Sequence, residues 1–154
     1  MLIYRIASYL VLAVHPSFVR GASPARAGDP VRLLKRPGDM VSAPRVCELA
    51  IACAYHLSAS DGGPLAELAP LVAGYHRRLP LSGEELQLLP ALVECRLATT
   101  LLIQGWRARN EPDPDGDHAA TAEEAAARLR RMAAAGHETL VEGLRSACAA
   151  VQNP

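Results

Sequence analysis

Residues 82–109 read SGEELQLLPALVECRLATTLLIQGWRAR, and this stretch decides the fold. Ser82 followed by Glu85 is a capping-box pattern, in which two side chains satisfy two N–H groups that a helix start leaves unpaired. The spacing predicts helix from Gly83 to Arg109, with Pro90 dividing it into a short helix and a long one, because proline supplies no N–H and crowds the preceding turn. From Ala91 to Trp106 the sequence is apolar nearly all round, the mark of a helix covered on most sides. A helix of that kind needs other helices around it, so the sequence predicts an all-α bundle.

The flanks supply those helices. Val46, Leu49, Ala50, Cys53 and Leu57 follow the i, i+3, i+4, i+7 spacing of one amphipathic face, with Pro44 suited to a first turn. Asp61, Gly62 and Gly63 break the chain, Pro64 opens a second helix running to about Leu79, and Pro80 ends it. Beyond the central stretch, Glu111 to Asp117 is an acidic Pro/Gly loop, Thr121 with Glu124 offers a second capping box, and Gly136 marks a break in the Ala/Arg-rich helix that follows. Residues 15–43 are rich in Pro, Gly, Ala and Arg without any period and read as irregular. No repeat appears.

Composition narrows the class. Half of the 154 residues are apolar, enough for a real core in one domain, and aromatics are only 4%, which favours helix over strand. Net charge is zero, but residues 1–45 carry seven Lys/Arg against two Asp, and the remainder nine Arg against fourteen acids. Such an asymmetry can mark a nucleic-acid arm; here the basic residues are scattered without aromatics, so neither nucleic acid nor membrane is the expected partner. Cys47, Cys53, Cys95 and Cys148 form no Cys-x-x-Cys pair and have no His at zinc-finger spacing. They read as buried thiols of a reducing cytoplasm. Ile6 to Val14 is as long as a signal-peptide core and too short to span a bilayer, with Ala25-Arg26-Ala27 beyond it like a cleavage site. Arg5 is its one preceding charge and His15 to Pro24 an unusual gap, so a short strand or helix, or a misassigned start, is the first reading and a secreted helical protein a further one.

Three groups of polar residues are weighed for chemistry. Arg96, Thr100, Gln104 and Arg107, spaced four, four and three apart, fall in one stripe of the central helix. They are either a solvated strip or the substrate-binding wall of a pocket for a carboxylate or phosphate. The five histidines are dispersed, with no ligand or nucleophile-activating pair, and His56 and His76 close their helices as capping or packing groups. Asp113, Asp115 and Asp117 alternate like a calcium loop, but Pro112 and Pro114 interrupt them and no closing Glu follows, so the loop reads as a linker.

The run from Gly38-Asp39-Met40-Val41 through Pro44-Arg45-Val46-Cys47-Glu48-Leu49-Ala50-Ile51-Ala52 carries a resemblance. It continues at Pro64-Leu65-Ala66, Val72-Ala73-Gly74-Tyr75-His76, Pro80-Leu81-Ser82 with Glu85-Leu86, Leu88-Leu89-Pro90 and Cys95-Arg96-Leu97-Ala98. In this order and spacing the segments resemble the aminoglycoside phosphotransferase/choline kinase-like superfamily, in its hydroxylysine kinase-like branch. That family's metal loop reads Ile-Asp-Phe-Gly-Asp, and a helix of the form Val-Cys-Asp-Leu-Ala-Ile-Ala follows it. The resemblance covers about residues 37–110 and implies that residues 37–150 are the helical C-lobe part of a kinase-like fold. Residues 1–36 would be an irregular leader. It implies transfer of a nucleotide γ-phosphate, from ATP or GTP with Mg2+, to a hydroxyl of a small amine or amino acid. Arg96 and Gln104, with Thr100 and Arg107, would hold that acceptor, and Asp39 would lie near the metal.

The match has a gap. Arg36 stands where the family has the first Asp of its metal loop, and Pro37 where it has Phe. A guanidinium has no lone pair for a cation and repels it. No His-x-Asp catalytic loop and no Gly-x-Gly-x-x-Gly run precede it. The expectation is therefore a truncated or frame-shifted reading frame, with no catalytic residue, no bound nucleotide and no phosphoryl transfer of its own. The alternative is a non-catalytic helical module that binds a protein partner, or itself, through apolar surface that a kinase core would have covered.

Overall fold

Apolar rows at helical spacing bury themselves only if a second helix lies along each of them, and the chain satisfies that requirement with helices alone. A computed structural model describes residues 44–58 and 63–152, and residues from Arg45 onward form a unit of their own. Among the described residues there are five helices and no strand, the all-α architecture that the periodicity predicts. They are α1 (Arg45–His56), α2 (Pro64–Arg78), α3 (Gly83–Asn110), α4 (Asp117–Ala135) and α5 (His137–Gln152). The leader at 1–36, the segment with Asp39, and the Ile6–Val14 run all lie outside the described residues.

Helix α3 is the centre, packed against α1, α4 and α5, while α2 lies mainly on α5. Its start is fixed as the sequence requires. The Ser82 hydroxyl accepts from the Glu85 amide at 3.1 Å, and the Glu85 carboxylate accepts from the Ser82 amide at 2.7 Å. The same carboxylate takes both Arg45 nitrogens, Nε and Nη2, at 3.0 Å, so the first residue of α1 is tied to the first turn of α3. Ten residues later Tyr55 meets Arg96. The two helices therefore run parallel and in step, and Val46, Leu49, Ala50 and Cys53 are buried as the spacing predicts. Leu86, Leu89, Leu92, Val93 and Leu97 are buried on the side of α3, and Leu140, Val141, Leu144 and Cys148 on that of α5.

A three-way clamp holds the far end. The Arg131 guanidinium, near the end of α4, donates to Glu67 Oε1 at 2.6 Å and to the Ser58 carbonyl, and Glu67 Oε2 accepts from the Ser58 amide at 2.6 Å. The end of α1, the start of α2 and the end of α4 thus meet in one charge-assisted network. Burial alone would raise the Glu67 carboxyl, but the hydrogen bonds from Arg131 and Ser58 outweigh it and hold the pKa below its ordinary value.

Four expectations are corrected. Pro90 does not divide the central helix: α3 is continuous over 28 residues, with the proline ring buried in the core. Losing one hydrogen bond is offset there by burying an apolar ring. Nor is Ala91–Trp106 covered all round, for Leu102 is 71% and Trp106 57% exposed. The four thiols are not alike: Cys53 and Cys148 are buried, Cys47 half-buried and Cys95 exposed. Burial pushes the Cys53 thiol up to about 12. Finally, Thr121 and Glu124 lie inside α4, which begins four residues earlier at Asp117. The break at Gly136 occurs as expected, at a φ of 80° that suits glycine. By length and composition α3 could also cross a membrane, although its Leu86–Leu97 row is part of the protein core.

Two outcomes follow from this packing. A Cβ on Gly143 would sit 2.2 Å from Leu65 Cδ2 and 3.0 Å from its Cγ, so Gly143→Ala forces the α2 side chain aside. The overpacking exceeds the gain in helix propensity, and chemical denaturation should show a loss of about 1 kcal/mol, relieved by Leu65→Ala in the same chain. Arg45 and the Ser82 amide hold the Glu85 pKa at about 2 against an ordinary 4.5. A depressed carboxylate stabilises the fold above its unfolded pKa and ceases to do so as pH falls through its folded one. Melting temperature should therefore drop between about pH 4.5 and 2, and Glu85→Gln should flatten that part of the profile.

Candidate functional site

The polar stripe Arg96–Arg107 continues the buried row of α3. Counting by threes and fours from Leu86 through Leu89 and Val93 leads to Arg96, Thr100, Gln104 and Arg107. The change from apolar to polar falls where α1 ends. Tyr55 and His56 are its last residues, and Tyr55 is level with Arg96. Past that point nothing from α1 covers this side of α3, and all four polar residues are half-buried. The arrangement is a partly sheltered strip, neither fully solvated nor closed.

The four residues do not converge as one group. Arg96 Nη2 donates to the Tyr55 hydroxyl at 2.9 Å, and the guanidinium carbon lies 5.5 Å from the ring centroid. No carboxylate pairs with Arg96 among the described residues, and its Nε is buried without a partner. The Thr100 hydroxyl donates back to the Arg96 carbonyl at 3.1 Å, which leaves its lone pairs outward. Gln104 Oε1 lies 2.8 Å from His118 Nδ1 on α4, which makes that ring nitrogen the donor and leaves the Gln104 amide N–H groups without a partner among the described residues. Arg107 turns to Glu111 one helical turn on, a loose pair at 3.8 Å between a half-buried guanidinium and an exposed carboxylate. Arg96 and Arg107 are eleven residues apart, about 16 Å along the axis. They cannot clasp one small anion, so the expectation of two arginines in one pocket reduces to Arg96 with Thr100 and the Gln104 amide.

Two partners escaped the sequence reading. Tyr55 lies off the apolar row of α1 and is 68% exposed, the only hint that it serves another purpose. His118 was among the dispersed histidines; only the path of the Glu111–Asp117 loop brings it back to Gln104. That loop is more than a linker. The Asp113 carboxylate accepts from the His118 amide at 3.2 Å and the Ala119 amide at 3.2 Å, and Gly116 takes a φ of 73° to allow it. Asp113 thereby caps the start of α4, the job wrongly expected of Thr121. His76 is likewise no surface group: it is buried, and its Nδ1 accepts from the Leu81 amide at 3.0 Å, closing the α2–α3 turn.

No three His, Cys, Asp or Glu residues gather as a metal-ligand set among the described residues, and Asp39, the expected metal neighbour, lies outside them. The described helices thus offer hydrogen-bond donors and, in Arg96, a half-buried guanidinium held by Tyr55 and by no carboxylate among the described residues, suited to holding an anionic or carbonyl group. Asp113→Ala should remove the α4 cap at a cost of about 1 kcal/mol in thermal denaturation, with faster amide exchange at His118 and Ala119. No protein-family model matches the chain, and comparison with curated proteins and with solved structures finds no similar chain.

Proposed function

We propose that the helical unit is the acceptor-side part of a small-molecule kinase of the aminoglycoside phosphotransferase/hydroxylysine kinase type. When complete, such a protein would transfer the γ-phosphate of ATP or GTP, with Mg2+, to a hydroxyl of a small amine or amino acid in the cytoplasm. With Arg36 standing where the family has its metal-binding Asp, this chain would be inactive by itself. The ordered matches over residues 37–110 support the family, and Arg96 is the observation that carries the site. A half-buried guanidinium without a carboxylate partner, its Nε buried, is completed by an anionic group from outside the chain. An amino-acid acceptor would lay its carboxylate there, with the Gln104 amide donating further along the strip.

The test is a chimera in which residues 38–152 replace the corresponding helices of an active hydroxylysine kinase-like enzyme. Phosphoryl transfer to the acceptor should persist. In that chimera Arg96→Ala should raise the acceptor KM by roughly 10–100-fold with little change in kcat, the loss of one charge-assisted contact. A folded chimera that binds nucleotide but phosphorylates no acceptor would sink the kinase reading; an unchanged KM would sink the pocket.

A second reading, a non-catalytic helical module for a protein partner, is favoured by the exposure of Leu102 and Trp106 on α3. A change of size with concentration, without any response to nucleotide, separates it from the first.

A further inference from the structure

The outward side of α3 differs from every other exposed helix face in the unit. The others carry charge: Glu48 on α1, Arg77 and Arg78 on α2, Glu123 and Arg130 on α4, Glu138 and Arg145 on α5. On α3, Leu88, Ala91, Cys95, Ala98, Leu102 and Gly105 follow one another at strict steps of three and four, with no charge among them. Leu88, Cys95 and Leu102 are exposed, and Ala91, Ala98 and Gly105 are half-buried. One further step of four reaches Glu84 at the start, and one further step of four reaches Arg109 at the end, both exposed. An alternating three–four seam is the heptad pattern of a helix pair. It is distinct from the strip of Arg96 and Gln104, which lies on the opposite, core-facing side.

We propose that this seam binds a second copy of the chain, α3 against α3, antiparallel about a two-fold axis. The charges set the direction. A parallel pair would bring Glu84 against its own copy and Arg109 against its own copy, whereas an antiparallel pair joins Glu84 to Arg109 of the second copy at both ends. The register follows from that join. It places Leu88 opposite Gly105 of the second copy, Ala91 opposite Leu102 of the second copy, and Cys95 opposite Ala98 of the second copy. Every large residue then meets a small one, which lets the two helices approach closely and fills the seam without voids. Trp106 flanks the seam beside Gly105 and comes opposite Gln87 of the second copy. In the single chain Arg109 lies back on its own helix, Nε donating to the Gly105 carbonyl at 3.0 Å and Nη2 over Gly105. Pairing swings it outward to the carboxylate and opens Gly105 to the incoming leucine. The exposed face also underlies the second reading above, but the dimer stands or falls independently of the kinase assignment.

Sedimentation equilibrium of the full chain should give a dimer whose mass falls to the monomer on dilution. Leu102→Glu should weaken it by at least roughly 30-fold, as for a central contact, with circular dichroism and melting temperature of the dilute monomer unchanged because the residue is exposed. Glu84→Arg and Arg109→Glu should each weaken it by roughly tenfold, and the two together should restore it, since the swap recreates both ion pairs only in the antiparallel register. In a Cys47→Ser background, a short bis-maleimide should join Cys95 to Cys95 of the second copy, which lie about 4.5 Å apart along the axis. A monomer at every concentration overturns the proposal, as does a dimer indifferent to Leu102→Glu. Failure of the double swap overturns the register. Co-flotation of a monomer with phosphatidylcholine vesicles would give the face to lipid and overturn it as well.

Discussion

A helix of 12 residues lies parallel to one of 28, and the two start level, pinned by Arg45 and Glu85. In length that is about 18 Å beside about 42 Å. The shorter helix ends at Tyr55, and the rest of that side of α3 must face something else. Its composition changes at that point from leucine and valine to Arg96, Thr100, Gln104 and Arg107. The half-sheltered strip, the Arg96 guanidinium with Tyr55 in place of a carboxylate, and the reach of His118 across from α4 all depend on this mismatch. The pairing itself rests on the buried row Val46, Leu49, Ala50 and Cys53, with Arg45 and Glu85 setting its register.

The elements were legible because their signals are local. Val46, Leu49 and Cys53 mark a face by spacing alone, Ser82 and Glu85 mark a start by their own chemistry, and Gly136 marks a stop by its backbone freedom. The errors came where a local rule met a tertiary circumstance. Pro90 breaks helices in isolation, yet a ring buried by its neighbours compensates for one missing hydrogen bond. Thr121 and Glu124 have the right spacing for a cap, but Asp113 takes the task first, from outside the helix. Ala91–Trp106 looked uniformly apolar because the outward seam is uncharged, and hydropathy alone does not say which side of such a helix is covered.

The site was legible only in part. Spacing put four polar residues on one side of α3, and that holds, but it could not say which partner each would take. Gln104 is held by a histidine fourteen positions on, Arg107 by a glutamate one turn on, and Arg96 by a tyrosine on another helix. Those pairings depend on how far α1 extends and where the acidic loop turns, and neither length is written in the stripe. The clamp of Ser58, Glu67 and Arg131 was invisible for the same reason: its members are separated by up to 73 positions.

Trp106 is the chain's sole tryptophan, and it sits on the outward side of α3 with more than half its surface in water. The intrinsic fluorescence of this protein therefore reports on the periphery. In the monomer its emission is expected to lie close to that of a solvated indole, with only a modest change on denaturation. Any quenching or blue shift of that signal marks the arrival of a molecule on the α3 face, making the residue a built-in optical probe of association.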